Sequence, residues 1–595
     1  MPPKNIFDFV VSEEAAYQTT PVAILDNYEW SMPEHIKKTV SYKNSQFTKD
    51  NTDNKPFKNI IRPLLNLQYR TEGIDVKDIT LFVNEAKNYY KSFLVKKYHD
   101  KWVRENDIDT FIDELIESYV DFGGVLVKDV NEIRPEVVPL QRIAFCDQTD
   151  ILSGPIAEKH FYAPDQLKDM ESKGWGKGNG ATATIDELII LAENSKSQVK
   201  NTGRKTKTPS KYIEICEVHG VFPYYWLDEN VPTNPETFDY TRQLHIIAFY
   251  TPKEGNKQGI TLFRGKEKEL PYKLLLRDKI YGRALGLGGA EELFQPQVWT
   301  NYDMIHIKNM LDAASKIILQ TTDATYLNKN KVKGMENLEV TVTENGSRIE
   351  QVNTQPVNLV VFENSVKEWE SHAQQMASAT DALLGETPSS GTPFALQNLI
   401  TQEGKGIHDY RRGKIAIFIG ELYRDWFLPH FAKEIVSKRD FLADLDLSEL
   451  TSVVDSIVTC QANYFIREKI LNGEQVVDSD VEAYKQKVRE SFMKDGKKLI
   501  QIFEGEMKSV PMDVDVNVAG KQKNLSQMTD KLVNIFRQII AAPQVLDDPR
   551  MSKIFNQILE ASGLDPIDFV GKPMMPQLNQ IPNQLPTKVV QPIVA

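Results

Sequence analysis

The stretch GRALGLGGAEELFQPQVWTNYDMIHIKNMLDAASKIILQ, residues 282–320, decides the fold. Gly282, Gly286, Gly288 and Gly289 permit a sharp turn, after which Glu291 and Glu292 stand where a helix N-terminus favours negative charge. Apolar residues then fall at Met304, Ile307, Leu311, Ala314 and Ile318, a 3-4 alternation that marks one narrow seam rather than a broad core face. A helix over residues 291–320 would be ~45 Å long at about 1.5 Å per residue. Such a rod suits packing between long neighbouring helices.

Downstream, LEVTVTENGSRIEQV (338–352) alternates Leu338, Val340 and Val342, turns at Asn345 and Gly346, and continues through Ile349 to Val352, which is a hairpin signal. A third apolar run, NLVVF (358–362), leads to a helix whose Val366, Trp369, Ala373, Met376, Thr380 and Leu383 repeat the 3-4 spacing. GETPSSGTP follows: Gly385, Glu386, Thr387, Pro388, Ser389, Ser390, Gly391, Thr392 and Pro393 favour turn geometry and predict a loop between helices. Residues 394–427 resume helical spacing with Ile407, Ile415, Phe418, Ile419, Leu422 and Trp426, and carry Lys405, Arg411, Arg412 and Lys414. Pro429 is expected to end that helix.

At 595 residues the chain exceeds one core, and 41% hydrophobic with 26% charged residues is ordinary globular composition. It holds no run of 18 apolar residues and no signal-peptide start, so synthesis in the cytoplasm and no membrane are expected. Cys146, Cys216 and Cys460 are too scattered for a metal pair or a disulfide framework. A net charge of −12 argues against a surface that wraps duplex DNA, yet suits one past which DNA must slide.

Taken in order, residues 1–56 read as a polar, mobile N-terminal arm. Residues 57–290 alternate helices (residues 109–120; another entered at Pro164 and Asp165) with short strands (VLVKDV, GPIAEKHFYA, YIEICEVHGVFPYYW, QLHIIAFYT, GITLFRG), an α+β pattern. Within them, residues 173–211 read as a basic, solvated surface insertion that carries a short helix around Ile185 to Ala192. Residues 394–520 return to this α+β region, ending in the strand MDVDVNV (512–518), 521–571 are helical, and 572–595 form a disordered Pro/Gln-rich tail.

No catalytic spacing emerges. GWGKGNGATAT lacks the Gly-Lys-Ser/Thr ending of a phosphate loop, GLGGAEEL lacks a third glycine at Glu291, and neither HExxH nor GxSxG occurs. Catalytic, cofactor and metal residues are therefore expected to be absent. Paired carboxylates such as Asp113 with Glu114 fit helix capping or a solvated face.

The order of these parts resembles the portal protein of tailed double-stranded DNA bacteriophages. SYVDFGGVLVKDV (118–130), PEVVPLQRIAFCDQTDILSGPIAEKHFYAPDQL (135–167), the opening stretch and LLGETPSSGTPFALQN (383–398) carry the resemblance, over roughly residues 57–569. It implies an α+β wing, an outgoing stem helix at 291–322, a small β-containing clip at 323–362, a returning stem helix at 363–384, a tunnel loop at 385–393 and a helical crown. Stem packing would then fall to Met304, Ile307, Leu311, Ala314, Ile318, Trp369, Ala373 and Met376. Clip pairing between subunits would fall to Leu338, Val340, Val342, Asn345, Gly346, Ile349 and Val352, and Lys405, Arg411, Arg412 and Lys414 are candidates to face DNA. The resemblance further implies a homo-oligomeric ring, a dodecamer, at one capsid vertex of the virion. Its partners would be double-stranded DNA, the major capsid protein, the terminase large subunit and head-tail connector proteins. Two rival readings are another ring-forming virion adaptor and a nucleic-acid-processing enzyme with a scattered site.

Overall fold

In the computed structural model, the extended runs between residues 143 and 266 form an antiparallel sheet. The strand order is Gln258–Lys266, Tyr240–Pro252, Ile213–Pro223, Ile156–Tyr162 and Ile143–Phe145, with Ser195–Lys196 paired beside the end of Tyr240–Pro252. The structure describes residues 5–45, 57–82, 89–130, 134–178, 180–196, 212–227, 240–254, 256–316, 319–322, 348, 350–351, 359–379, 381–384, 404–437, 447–494, 513–516 and 537. It divides into two compact units, residues 1–76 with 106–418, and residues 77–105 with 419–595. The α+β class expected from the sequence is the class observed.

In the first unit the period of two along a strand sends alternate residues to opposite faces of the sheet. Cys216, Val218, Ile247 and Phe249 join one buried cluster, while Ile213, Ile215, Ile246 and Ala248 join another with Leu167, Ile185, Leu188 and Ala192. The latter three lie on the helix Ile185–Glu193, which starts in a capping box: the Thr184 hydroxyl accepts from the Glu187 N–H and the Glu187 carboxylate accepts from the Thr184 N–H. The short helix expected around Ile185 to Ala192 is present, but its solvated placement is corrected, since three apolar residues at helical spacing bury one face of it; residues 179 and 197–211 lie outside those described.

The N-terminal arm is also corrected. Ile6–Thr19 and Met32–Lys43 are helices, and between them Val22–Leu25 pairs with Tyr28–Trp30. Ile6, Val10, Tyr17, Trp30, Met32 and Ile36 are buried in the first cluster, and Phe9 lies edge-on to Phe145 and Phe222. Residues 46–56 of that arm lie outside the described residues.

A second, three-stranded sheet (Tyr272–Leu276, Gly124–Lys128, Glu136–Val137) meets the glycine cluster at close range. Gly123 has φ +73°, and a Cβ there would lie 2.4 Å from the Gly286 carbonyl oxygen, so both glycines are required for the backbones to touch. The Gly123 carbonyl accepts from the N–H groups of Arg277 and Gly286.

In the second unit Ile79–Phe82 pairs with Asp513–Val516, within the strand expected at 512–518. Trp102, on the helix Tyr89–Glu105, packs against Phe427 and Phe431. Helices Leu447–Leu471 and Asp478–Lys494 lie antiparallel, with Phe465 stacked on Tyr484 at 4.3 Å and Asp455 paired to Arg489. Pro429 does not end the preceding helix as expected. A π-helical turn, Tyr423–Phe427, intervenes, and Pro429 then sits in the first turn of Leu428–Ser437, where its missing N–H costs little.

Candidate functional site

The opening stretch becomes two helices rather than one. Gly289–Glu292 is a short turn of helix, and the outgoing helix proper runs Phe294–Ala314, ~31 Å at about 1.5 Å per residue rather than the ~45 Å expected. The chain leaves helical geometry after Ser315, and Leu319–Gln320 forms a strand pair with Glu350–Gln351. Ile318 lies outside the described residues, as do Leu338, Val340, Val342, Asn345, Gly346, Ile349 and Val352, and the loop Gly385 to Pro393. Residues 359–362, expected to belong to the clip ahead of a returning helix at 363, are instead the start of that helix, Leu359–Met376. Continuous 3-4 spacing from Phe362 through Val366, Trp369 and Ala373 explains this, because it outlasts a strand.

These two helices pack antiparallel. Trp299 stacks on Trp369 (centroids 6.0 Å, planes 8° apart), Ser365 Oγ donates to Asp303 Oδ2 at 2.6 Å, and His306 stacks on Phe362 at 5.5 Å. Of these, only Trp369 was singled out from the sequence. Trp299, Asp303 and His306 recur at spacings of four and three, a second stripe beside the apolar seam that could have been found.

The base of the outgoing helix is clamped by amides. Gln297 Oε1 accepts from the Ile60 N–H and its Nε2 donates to the Lys58 carbonyl, while Asn301 Oδ1 accepts from the Lys58 N–H. Beyond the clamp, Met304, Ile307 and Ala314 are half-buried, Leu311 is 49% exposed, and on the returning helix Val360 and Val361 are 62% and 64% exposed. Trp369 is half-buried, Ala373 is buried and Met376 exposed. Of the described seam residues, Leu311 and Met376 are thus exposed, and Val360 and Val361 add exposed apolar surface beside them.

Behind this pair lies a buried group of charges. Glu72, at the end of the helix Ile61–Glu72, receives Arg277 at two points, with Arg411 Nη1 and His408 Nδ1 also within 3.3 Å of Oε1. Arg411 also donates to Asp278 and Glu292. Burial alone would push the Glu72 carboxyl up, but hydrogen bonds from His408 and Arg277 and the charges of both arginines bring it down to about 2. Arg411, a candidate to face DNA, is therefore corrected: it is 3% exposed and its charge is matched inside the protein. Lys414 Nζ donates to the Arg277 carbonyl and Arg412 pairs with Asp409, so both are partly enclosed, while Lys405 is exposed. Glu72 and His408 escaped sequence analysis because Arg277 lies 205 residues from Glu72 and His408 lies 336 from it.

The sheet carries a second group. Glu158 and Glu217 face each other across adjacent strands, and Lys128 Nζ bridges them at 3.0 and 2.6 Å. His219 lies between Glu217 and Glu267, 3.1 and 2.9 Å away, with Tyr272 edge-on beneath. This group floors a cavity of about 320 Å³ walled by Tyr162, Trp175 and Phe263. Among the described residues no group of three His, Cys, Asp or Glu could hold a metal ion, and no helix is long and apolar enough to cross a membrane.

No family model matches the sequence, and no curated protein matches it. Among solved structures, one chain from a structure described as "Virion of native gene transfer agent (GTA) particle" matches with a TM-score of 0.32 and 10% identity. The match covers 93% of this chain and 98% of that one. At that TM-score the likeness carries no argument about this chain.

Proposed function

We propose that this chain is a portal subunit, one of a ring of copies forming the channel for double-stranded DNA at a single capsid vertex. The observation that carries this reading is the apolar surface exposed on the antiparallel helix pair. Leu311, Val360 and Val361 project apolar surface that the described residues leave exposed, and repetition around a closed ring would give each such surface a neighbour. The strand pair at the end of the outgoing helix supports the same reading, because two strands are too few to be stable alone and gain from pairing with other copies. In that role the chain shapes a path rather than performing chemistry. The terminase large subunit would drive the DNA, and the major capsid protein and head-tail connector proteins would grip the ring from outside. Of the four basic candidates, Lys405 retains a side chain free of burial to meet phosphates.

Native mass measurement with electron microscopy of the purified protein tests this. A closed ring of many copies with a central hole is expected. A protein that stays monomeric or dimeric at high concentration overturns the reading.

A further inference from the structure

His408 stands on the first turn of the helix Gly406–Leu422 and is 1% exposed. Its Nδ1 lies 3.1 Å from Glu72 Oε1 and its Nε2 lies 3.3 Å from the carbonyl oxygen of Ser378, just past the end of the returning helix. Both partners are acceptors only. A neutral imidazole carries one N–H and can serve one of them, leaving its other nitrogen lone pair against an oxygen; an imidazolium serves both.

Charge pulls the other way. Arg277 and Arg411 already donate to Glu72, Glu292 receives both arginines, and Asp278 receives Arg411 with Lys414 3.7 Å away. On the same helix Asp409 pairs with Arg412, and Tyr119 donates to the Arg411 carbonyl. Three cations thus face three carboxylates, and a proton on His408 adds a fourth positive charge to the group. Both ring nitrogens thus face acceptors inside a group of fixed charges, and the number of protons on the ring decides how many of the two contacts can be hydrogen bonds.

Ser378 gives the choice a mechanical meaning. It is a non-glycine residue at φ +53°, a left-handed conformation that needs external support. Its neighbours close the helix end, the Ala379 N–H donating to the Gln374 carbonyl, and the Ser378 carbonyl is aimed at His408.

We propose that His408 is a protonation-dependent tie: doubly protonated, it binds the end of the returning helix to Glu72; singly protonated, it keeps Glu72 and releases Ser378. Acidity would then set how firmly the returning helix is moored in the assembly. That consequence rests on the portal reading, whereas the tie is testable whatever the oligomeric state.

Hydrogen–deuterium exchange of peptides spanning residues 374–384, between about pH 5.5 and 8.5 and corrected for intrinsic rates, reads the tie. In the unsubstituted protein protection should fall roughly tenfold as the proton leaves, the size of one lost buried hydrogen bond. In H408Q it should be low and flat, and in H408K, which keeps a donor at every pH in the range, high and flat. Protection that is constant with pH in the unsubstituted protein, or a pH profile that survives in H408K, overturns the proposal. The lysine variant keeps the test decisive should the glutamine variant fail to fold.

Discussion

The Glu72 carboxylate and the Arg277 guanidinium meet as a two-point pair, Nη2 2.9 Å from Oε1 and Nε 3.2 Å from Oε2, with neither residue exposed to solvent. Removing one member strips the other buried charge of its two-point partner and leaves it with longer contacts, Arg411 for Glu72 and Glu292 for Arg277, a loss of up to about 3–5 kcal/mol. Glu72→Ala and Arg277→Ala should each lower the melting temperature markedly, and the double substitution should cost less than the two added together. Glu72 also sets an acid limit. Its folded value near 2 lies below the ordinary carboxylate value of 4.5, so its contribution is present above 4.5 and is lost as pH falls from there toward 2. Thermal melts from pH 5 downward should show this loss, and Glu72→Gln should flatten that part of the curve.

His219 should give the opposite slope. Burial lowers its affinity for a proton, but hydrogen bonds to Glu217 and Glu267 outweigh that and raise its value above 6.5. The protonated ring is thus favoured in the folded state, so its contribution is full below 6.5 and is lost as pH rises through the raised value. Melts between about pH 6 and 9 should show stability falling toward the alkaline side. His219→Gln should reduce that fall; an unchanged slope would place it on another group of the cluster.

Much of the sheet was legible because its strands obey a period of two that survives in the sequence: Ile213, Ile215, Ile246 and Ala248 can be assigned to one face by counting. The returning helix was legible from Trp369 and Ala373, but not its start, since Leu359, Val360 and Val361 are as compatible with a strand as with a helix. The burial of Arg411 was not legible at all. Its neighbours on the same helix resemble a solvated basic face, and what encloses it comes from Glu72, Asp278 and Glu292. The N-terminal region misled for a related reason: its core contacts are with Phe145 and Phe222, more than 100 residues away, and its local composition is polar.

Met32 tests the corrected N-terminal region. Its side chain is fully buried, its N–H donates to Gln148 Oε1 at 2.9 Å, and Gln148 Nε2 reaches back to the Thr20 carbonyl. Met32→Ala should cost about 2–5 kcal/mol through the cavity it leaves. Deleting residues 1–43 should give a chain that binds hydrophobic dyes and aggregates; a deletion with unchanged melting and solubility would restore the reading of a dispensable arm.

The exposed seam makes the remaining prediction, on assembly rather than folding. Leu311 and Val361 are 49% and 64% exposed in the single chain, so Leu311→Glu and Val361→Glu should each shift its stability by no more than about 0.5 kcal/mol. Inside a contact between copies the same glutamate would be buried without a partner, and the cost, several kcal/mol, would recur at every interface of a closed ring. Both variants should therefore melt like the parent as monomers yet fail to form rings, read by native mass measurement at matched concentration. Val361→Ser, which removes apolar area without adding charge, should assemble at higher protein concentration. Rings of unchanged size in both glutamate variants would mean that the seam faces solvent in the assembly, and another surface of the chain would have to supply the subunit contact.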